Sequence, residues 1–489
     1  MLYDLNQEGV GQTLAGKHFD VCIAGAGVAG VTLALKLAAA GKSILLLEGG
    51  GKEPAPESQD LYKGENVGME YLDIQTCRLR FLGGTSNHWG GWCRPLDAFD
   101  FEAKTHIPYS GWPIRKADIV SYENEAYDIL DISRRPGVDR EFSPSEGALS
   151  WFDFAHSPPT RFRTKYSDTL SRSSIIHLVL NANVVDFRLD DAGRRVLGAI
   201  CRDQFNLTVD HNFQASHYVL SMGGIENARA LLNANSRSPN GIGNENDLVG
   251  RFFSDHPHFE LGIYWQRTSA APRRFLSPTP ALQQRAKIAN CGLQLIDPHG
   301  GGSPLKSAKR FVRQLACEYD LVQAFFQSVE KEINCVGQVF GAWEQTPNYN
   351  SRVKLSDSRD RLGLRTVSLD WQWTPMERHT AKVCALELGK AFARGDIGRV
   401  RINDWVLDDA LPLPTLESGE RVAGSHHMGT TRMSDDARTG VVDQNCRVFG
   451  LDNFYIAGSS VFPTFGHANP TFTIVQLALR LADHIKRLG

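Results

Sequence analysis

Residues 19–30, FDVCIAGAGVAG, restrict this chain more than any other stretch. FDVCIA is mostly apolar with β-branched members, Gly25, Gly27 and Gly30 follow it, and VTLALKLAAAG and then SILLLEGG come next. This order predicts strand, glycine turn, helix and second strand. The apolar runs are continuous rather than alternating, as in parallel strands covered on both faces, so the fold class is α/β. Glycines at these three places permit a tight turn, close approach of backbone to a pyrophosphate and close helix–strand packing. Glu48, 18 residues after Gly30, ends the second strand where it can accept from ribose hydroxyls. An ordinary tight turn would need neither the acid nor the second strand.

At 489 residues the chain exceeds one ordinary core, since cores stop growing near ~250–300 residues. Residues 60–112 read as glycine-rich loop, and Glu123–Leu130 as helix. Residues 176–187 and 217–224 return to a strand pattern, the latter leading into a helix at IENARALLNA, which suggests a return to the first sheet. Between Phe259 and Pro414 the texture changes: VGQVFGAW (336–343) alternates and MERHTAKVCALELGKAFARG (376–395) is helical. A mixed or antiparallel sheet with helices is expected there. The tail ends in a strand-like NFYIAG and an apolar-faced helix with Pro470 in its first turn.

Bulk chemistry removes several partners. Lys plus Arg (53) balances Asp plus Glu (55), so no overall field favours nucleic acid or an anionic membrane. The nine cysteines are dispersed, the nearest two, Cys77 and Cys93, being 16 residues apart, which gives no zinc or iron–sulfur spacing and no metal site. A reducing, cytoplasmic setting is expected. The N-terminus does not read as a secretory signal. The longest apolar stretch, from Val21, is interrupted by Thr32 and Lys36, short of the ~18 residues that suggest a membrane span. A small, weakly charged substrate fits best.

The glycine turn does not separate NAD from FAD. Its place near the N-terminus, followed by a long loop and later returns to the same sheet, suits FAD, because distant segments must reach the flavin ring. Along nearly its whole length the sequence resembles the glucose–methanol–choline (GMC) oxidoreductase family. The stretches that carry this are GAGVAG, GGTSNHWGG (83–91), GWP (111–113), YVLSMGGIENARALL (218–232), LVGRFFSDHP (248–257), SHHMGTTRM and GHANPT, in the family's order. GGTSNHWGG and NPT look most like the pyranose oxidase branch and its bacterial sugar- and polyol-oxidising relatives. The resemblance implies a FAD-binding Rossmann-like domain in three parts (1–110, 170–258, 418–489), with a loop segment of the substrate domain (111–169) and a mixed or antiparallel-sheet substrate-binding domain (259–417).

It also implies chemistry: hydride transfer from the CH–OH group of an alcohol, a sugar, glycoside or polyol, to flavin N5, giving a ketone or aldehyde. The family's base falls on His426 and its amide partner on Asn469. Hydride leaves a carbinol carbon more readily as the hydroxyl proton departs, so a base with a pKa near working pH is needed. Asn469 also reads as a helix N-cap before Pro470, and His427 and His467 compete with His426. Gly84, Thr85 and Asn87 lie in a loop suited to a flat ring, and His88 matches the position that bonds the flavin covalently in pyranose oxidase-like members, a noncovalent histidine being the alternative. Gly458, Pro470 and Thr471 complete the expected cofactor contacts, with the helix N-terminus facing the flavin edge where negative charge gathers. Asp255, His256, Pro257 and His258 read as structural, with both histidines on one strand face. Trp89, Trp92, Trp371 and Trp373 suit either a sugar pocket or the core.

Oxygen, a quinone or a protein carrier would take the electrons, and a small partner subunit would fit a respiratory assembly. Rival readings are such an assembly, a lyase or photochemical family member, and an NAD-dependent dehydrogenase.

Overall fold

The computed structural model describes residues 1–204, 207, 209–266, 275–296 and 336–488. Cys317, Cys335 and part of the 259–414 stretch lie outside the described residues.

Two large sheets organise the chain. The first runs Leu2–Asp4, Ile176–Leu180, Ile44–Leu47, His18–Ala24, His211–Leu220, Val196–Arg202 and Asn183–Leu189, with Phe454–Ile456 also pairing His211–Leu220. Its middle is parallel: Val21 faces Ile44, Leu45 faces His177 and Val219 faces Ile23. Ile44–Leu47 is buried at every position, as a strand covered on both faces must be. The helix Val28–Ala39 covers one side and packs against the C-terminal helix Thr471–Arg487. Phe472, Val475, Leu479, Ala482 and Ile485 of the latter recur every three or four residues and are all buried, so the tail belongs to this core.

The run 176–187, expected as one strand, is two. Asn181 takes a left-handed backbone (φ 57°), a conformation asparagine adopts more readily than most residues. Ile176–Leu180 therefore joins Ile44–Leu47, while Asn183–Leu189 turns away to pair antiparallel with Val196–Arg202.

The second sheet is antiparallel, in the order Gly398–Ile402, Pro257–Gln266, Val336–Trp343, Cys291–Ile296, Phe275–Pro278, Leu149–Phe152 and Arg140–Glu141. Register sets Phe152 beside Phe275, Phe275 beside Gln294 and Gln294 beside Phe340, a row across one face. The helix Pro375–Arg394 starts at a capping box, Thr374 with Glu377, and buries Ala381, Cys384, Ala385, Leu388 and Phe392. Among the described residues no helix is long and apolar enough to cross a membrane, and the seven described cysteines are free thiols.

Candidate active site

The glycine turn is held by its neighbours. Gly25 has φ 106°, and a Cβ there would stand 2.6 Å from the Ser221 carbonyl oxygen. A Cβ on Gly30 would stand 1.9 Å from Gly25 O, so only glycine lets the helix begin against the turn. Gly27 has open space at its Cβ position. Glu48 is 6% exposed; its Oε2 accepts from Ala26 N (3.0 Å) and its Oε1 from Gly50 N (2.9 Å). Burial pushes its carboxyl up, opposed by these N–H bonds and by Arg80. Beside it a buried ion network joins Arg78, Glu226, Arg229 and Asp360, with Arg78 Nη1 2.7 Å from Glu226. Its members line the same cavity; Glu226 and Arg229 lie in the YVLSMGGIENARALL stretch, whereas no motif marks Arg78 or Asp360.

In the 83–91 loop, Gly84, Thr85 and His88 face the cavity. Asn87 does not: its Nδ2 donates to Leu82 O (3.0 Å) and Gly84 O (2.8 Å), closing the turn Gly84–Asn87. A side-chain amide so near two backbone carbonyls is satisfied locally. Burial and the Arg161 guanidinium lower the pKa of His88, while its bond to the Cys77 backbone raises it.

The end of the cavity that holds His426 is assembled around one carboxylate. Residues 254 and 428 exchange backbone hydrogen bonds, bringing the segment before strand Pro257–Gln266 against the SHHM segment. Asp255, fully buried, accepts at Oδ1 from His256 N (2.6 Å), His426 N (2.9 Å) and Gly424 N (3.2 Å), and at Oδ2 from the Tyr71 hydroxyl. Burial, opposed by these bonds, pushes its carboxyl up to about 6. The Nδ1 atoms of His256 and His426 lie 2.9 Å apart, and His256 Nε2 donates to Gly466 O at 2.9 Å. Asp255, His256 and His426 place ligand-type atoms within 4.8 Å of one another. Both carboxylate oxygens are engaged and the two Nδ1 atoms bond each other, which makes this a hydrogen-bond network.

All three competing histidines and Asn469 line the cavity, but their surroundings differ. Burial, then His256, His258, Arg421 and His427, hold His426 well below the ordinary imidazole value. His427 stacks on Phe253 (ring centroids 5.9 Å), lies 3.6 Å from Cys77 Sγ, and is lowered by burial to about 3. His467 packs on Phe152 (4.2 Å) and bonds Asn290 Oδ1 through Nδ1 (3.1 Å); burial lowers it to about 3 as well. Asn469 does not cap the last helix with its side chain. Its Nδ2 donates to Trp92 O (3.2 Å), leaving Oδ1 and the second amide hydrogen without a partner among the described residues.

Phe152, Phe154, Phe275 and Phe340 line the sheet side, with His258 and Arg421 among them. Trp89 and Trp92 face the cavity, whereas Trp371 is core (1% exposed) and Trp373 packs on Phe259.

The cavity measures about 830 Å³, within the ~300–1,000 Å³ of ligand sites. Gly25, Gly27 and Glu48 line it, as do Gly458, Pro470 and Thr471, and His426 with Asn469. Gly30 lies behind it. These residues fit FAD: a glycine cradle that a Cβ would fill, a buried acid ending the second strand, and a helix N-terminus.

Comparison with known proteins agrees. The profile described as GMC oxidoreductase matches residues 347–478. The chain is 25% identical to the 6'''-hydroxyparomomycin C oxidase of Streptomyces lividus, over 98% of this chain and 94% of that one. It is 22% identical to the 2-methyl-1,2-propanediol dehydrogenase of Mycolicibacterium austroafricanum, over 97% and 96%. Among solved structures, a FAD-dependent oxidoreductase from Chaetomium thermophilum superposes with a TM-score of 0.58 at 15% identity, over 96% of this chain and 99% of that one, a likeness of fold.

Proposed function

We propose, from the match of the GMC oxidoreductase profile to residues 347–478 and the near full-length likeness to an oxidase and a dehydrogenase, that this chain is a GMC oxidoreductase that oxidises a CH–OH group of a sugar, glycoside or polyol, with His426 taking the hydroxyl proton. One observation carries the reading: a single cavity is lined by the glycine cradle and Glu48 and also by His426 and Asn469. A nucleotide cofactor laid on the cradle and an alcohol beside His426 would share it. The names of the two relatives, an aminoglycoside oxidase and a diol dehydrogenase, support this substrate class.

The chain's own residues do the following. The hydroxyl stands between His426 and the amide of Asn469; its O–H bond breaks as the proton passes to His426, and the amide holds the oxygen so that the C–H points at the cofactor. Such positioning contributes at most about 7–11 kcal/mol. The glycine turn at Gly25 and Gly27, Glu48 and the start of helix Thr471–Arg487 would hold FAD, which would supply the hydride acceptor. The backbone N–H groups at the start of helix Thr471–Arg487 favour the negative charge that reduction creates. The phenylalanine floor excludes water and offers faces to C–H groups of a sugar ring. His88 is the residue a covalent link to the cofactor would use. Electrons leave to oxygen, a quinone or a protein carrier, the last marked by a co-purifying small subunit.

The test is optical. Purified protein should be yellow, and an anaerobic panel of sugars, glycosides and polyols should bleach it. Colourless protein that binds NAD, or flavin that no alcohol reduces, overturns the proposal.

A further inference from the structure

We propose that His256 is a positioning residue for the base: it fixes His426 in the tautomer whose Nε2 lone pair is free for the substrate, and it shares the charge once the proton arrives. The inference rests on His426 as the base.

The argument is one of donors and acceptors. Gly466 O is a carbonyl oxygen and only accepts, so the 2.9 Å contact puts a proton on His256 Nε2. His256 is fully buried and burial lowers it to about 4, so the ring is neutral and carries that one proton. Its Nδ1 is then a lone pair. The second nitrogen, 2.9 Å away, must supply the hydrogen, so His426 is protonated at Nδ1 and bare at Nε2. A protonated His256 would reverse the bond, donating to His426 Nδ1 and leaving a proton on Nε2, where it blocks the substrate.

Both ends of the relay are immobilised. Asp255 Oδ1 accepts from the backbone N–H of His256 and of His426, so one oxygen sets the separation of the two residues. Gly466, whose carbonyl orients His256, is held by Glu344, whose Oε1 accepts from Phe465 N (3.0 Å) and Gly466 N (3.1 Å). A Cβ on Gly466, which has φ 56°, would stand 2.5 Å from the Asp100 carboxylate, so only glycine fits against Asp100 here. The titratable and charged groups facing the pair are Asp255 toward both, His258, Arg421 and His427 toward His426, and Glu344 toward His256. When the alcohol's O–H bond breaks and its proton reaches Nε2, the Nδ1–H···Nδ1 bond becomes charge-assisted and Glu344 stands behind His256 to stabilise it.

Two measurements test this. In wild-type protein, nitrogen-15 imidazole spectra should show His426 protonated at Nδ1 only and His256 at Nε2 only; a proton on His426 Nε2 overturns the proposal, with no mutation needed. In stopped flow, His256→Leu should slow cofactor reduction by ~100-fold or more with substrate affinity kept, since losing a tautomer-setting partner costs on the order of 10–10⁴-fold. His256→Gln, whose amide can accept from His426 and donate to Gly466 O, should recover most of that loss. A leucine variant within ~3-fold of wild type, under ~1 kcal/mol of barrier, or a glutamine variant no better than leucine, overturns it. Wild-type flavin that no alcohol reduces sinks the function reading and leaves the tautomer result standing.

Discussion

At the nucleotide end of the cavity, Gly25, Gly27 and Glu48 come from one strand–turn–helix–strand unit and meet because that unit closes on itself. At the proposed catalytic end, His256, His426 and the Gly466–Asn469 stretch come from three segments that meet only where the strand Pro257–Gln266, the SHHM segment and the approach to the last helix converge. The glycine end tolerates little change in shape at Gly25 and Gly30, where a Cβ would meet the Ser221 carbonyl oxygen and Gly25 O. The convergent end tolerates little change in hydrogen bonding, since Asp255 and His256 are buried and their bonds to His426 and Gly466 set which atoms carry protons. Damage at the first should therefore appear as lost cofactor, and damage at the second as lost chemistry with cofactor in place.

The largest expected effect is at the convergent end. His426→Ala should leave folded, yellow protein whose anaerobic reduction by a good alcohol is slowed at least ~100-fold, the low end of general-base contributions. Stopped-flow absorbance at the flavin band measures it, and near-normal reduction would remove the proposed base.

Glu48→Gln tests the other end. The new amide turns an N–H toward Ala26 N or Gly50 N, where the carboxylate accepted both. A buried donor left unsatisfied costs about 1–3 kcal/mol, so cofactor affinity should fall by roughly 5–150-fold while the reduction rate at saturating FAD stays near wild type. A slowed rate with unchanged affinity would mean that the two ends are not separable.

The pH response should also belong to the convergent end. The base works only unprotonated, so reduction is lost as pH falls through the pKa of His426. Burial, then the neighbouring His256, His258, Arg421 and His427, lower that pKa well below 6.5, so the rate constant should be level from neutral pH down to 6.5 and fall about tenfold per unit only below the shifted value. An acid limb centred above 6.5 would show that another group titrates.

The same contrast explains what could be read in advance. Gly25, Gly27 and Glu48 were legible because their spacing encodes the turn they make. His426 and Asn469 emerged only through resemblance, because spacing along the chain says nothing about which segments meet. His256 was read as structural: strand alternation put it on one face with His258, but the sequence does not say that this face looks at His426, with ring centroids 5.1 and 6.2 Å away. Asn87 looked like a cofactor contact because it sits in the glycine loop, yet the carbonyls of Leu82 and Gly84 are nearer partners. The 176–187 run looked like one strand because apolar character does not reveal a left-handed Asn181.

The smallest effect separates the histidines themselves. His427 has its ring against Phe253 and Tyr71 and its Nε2 at Cys77 Sγ, with no imidazole or carbonyl bonded to its ring among the described residues. His467 spends Nδ1 on Asn290, and its Nε2 is sealed from solvent with no partner among the described residues. Neither shares the carboxylate-pinned pair that holds His426. His427→Gln should therefore change the reduction rate by less than about tenfold, below ~1.4 kcal/mol of barrier, and any change should appear equally in substrate affinity. If His427→Gln instead matched His426→Ala, proton transfer would have to run through the neighbouring ring, and the Asp255-centred network would serve only to hold the two segments together.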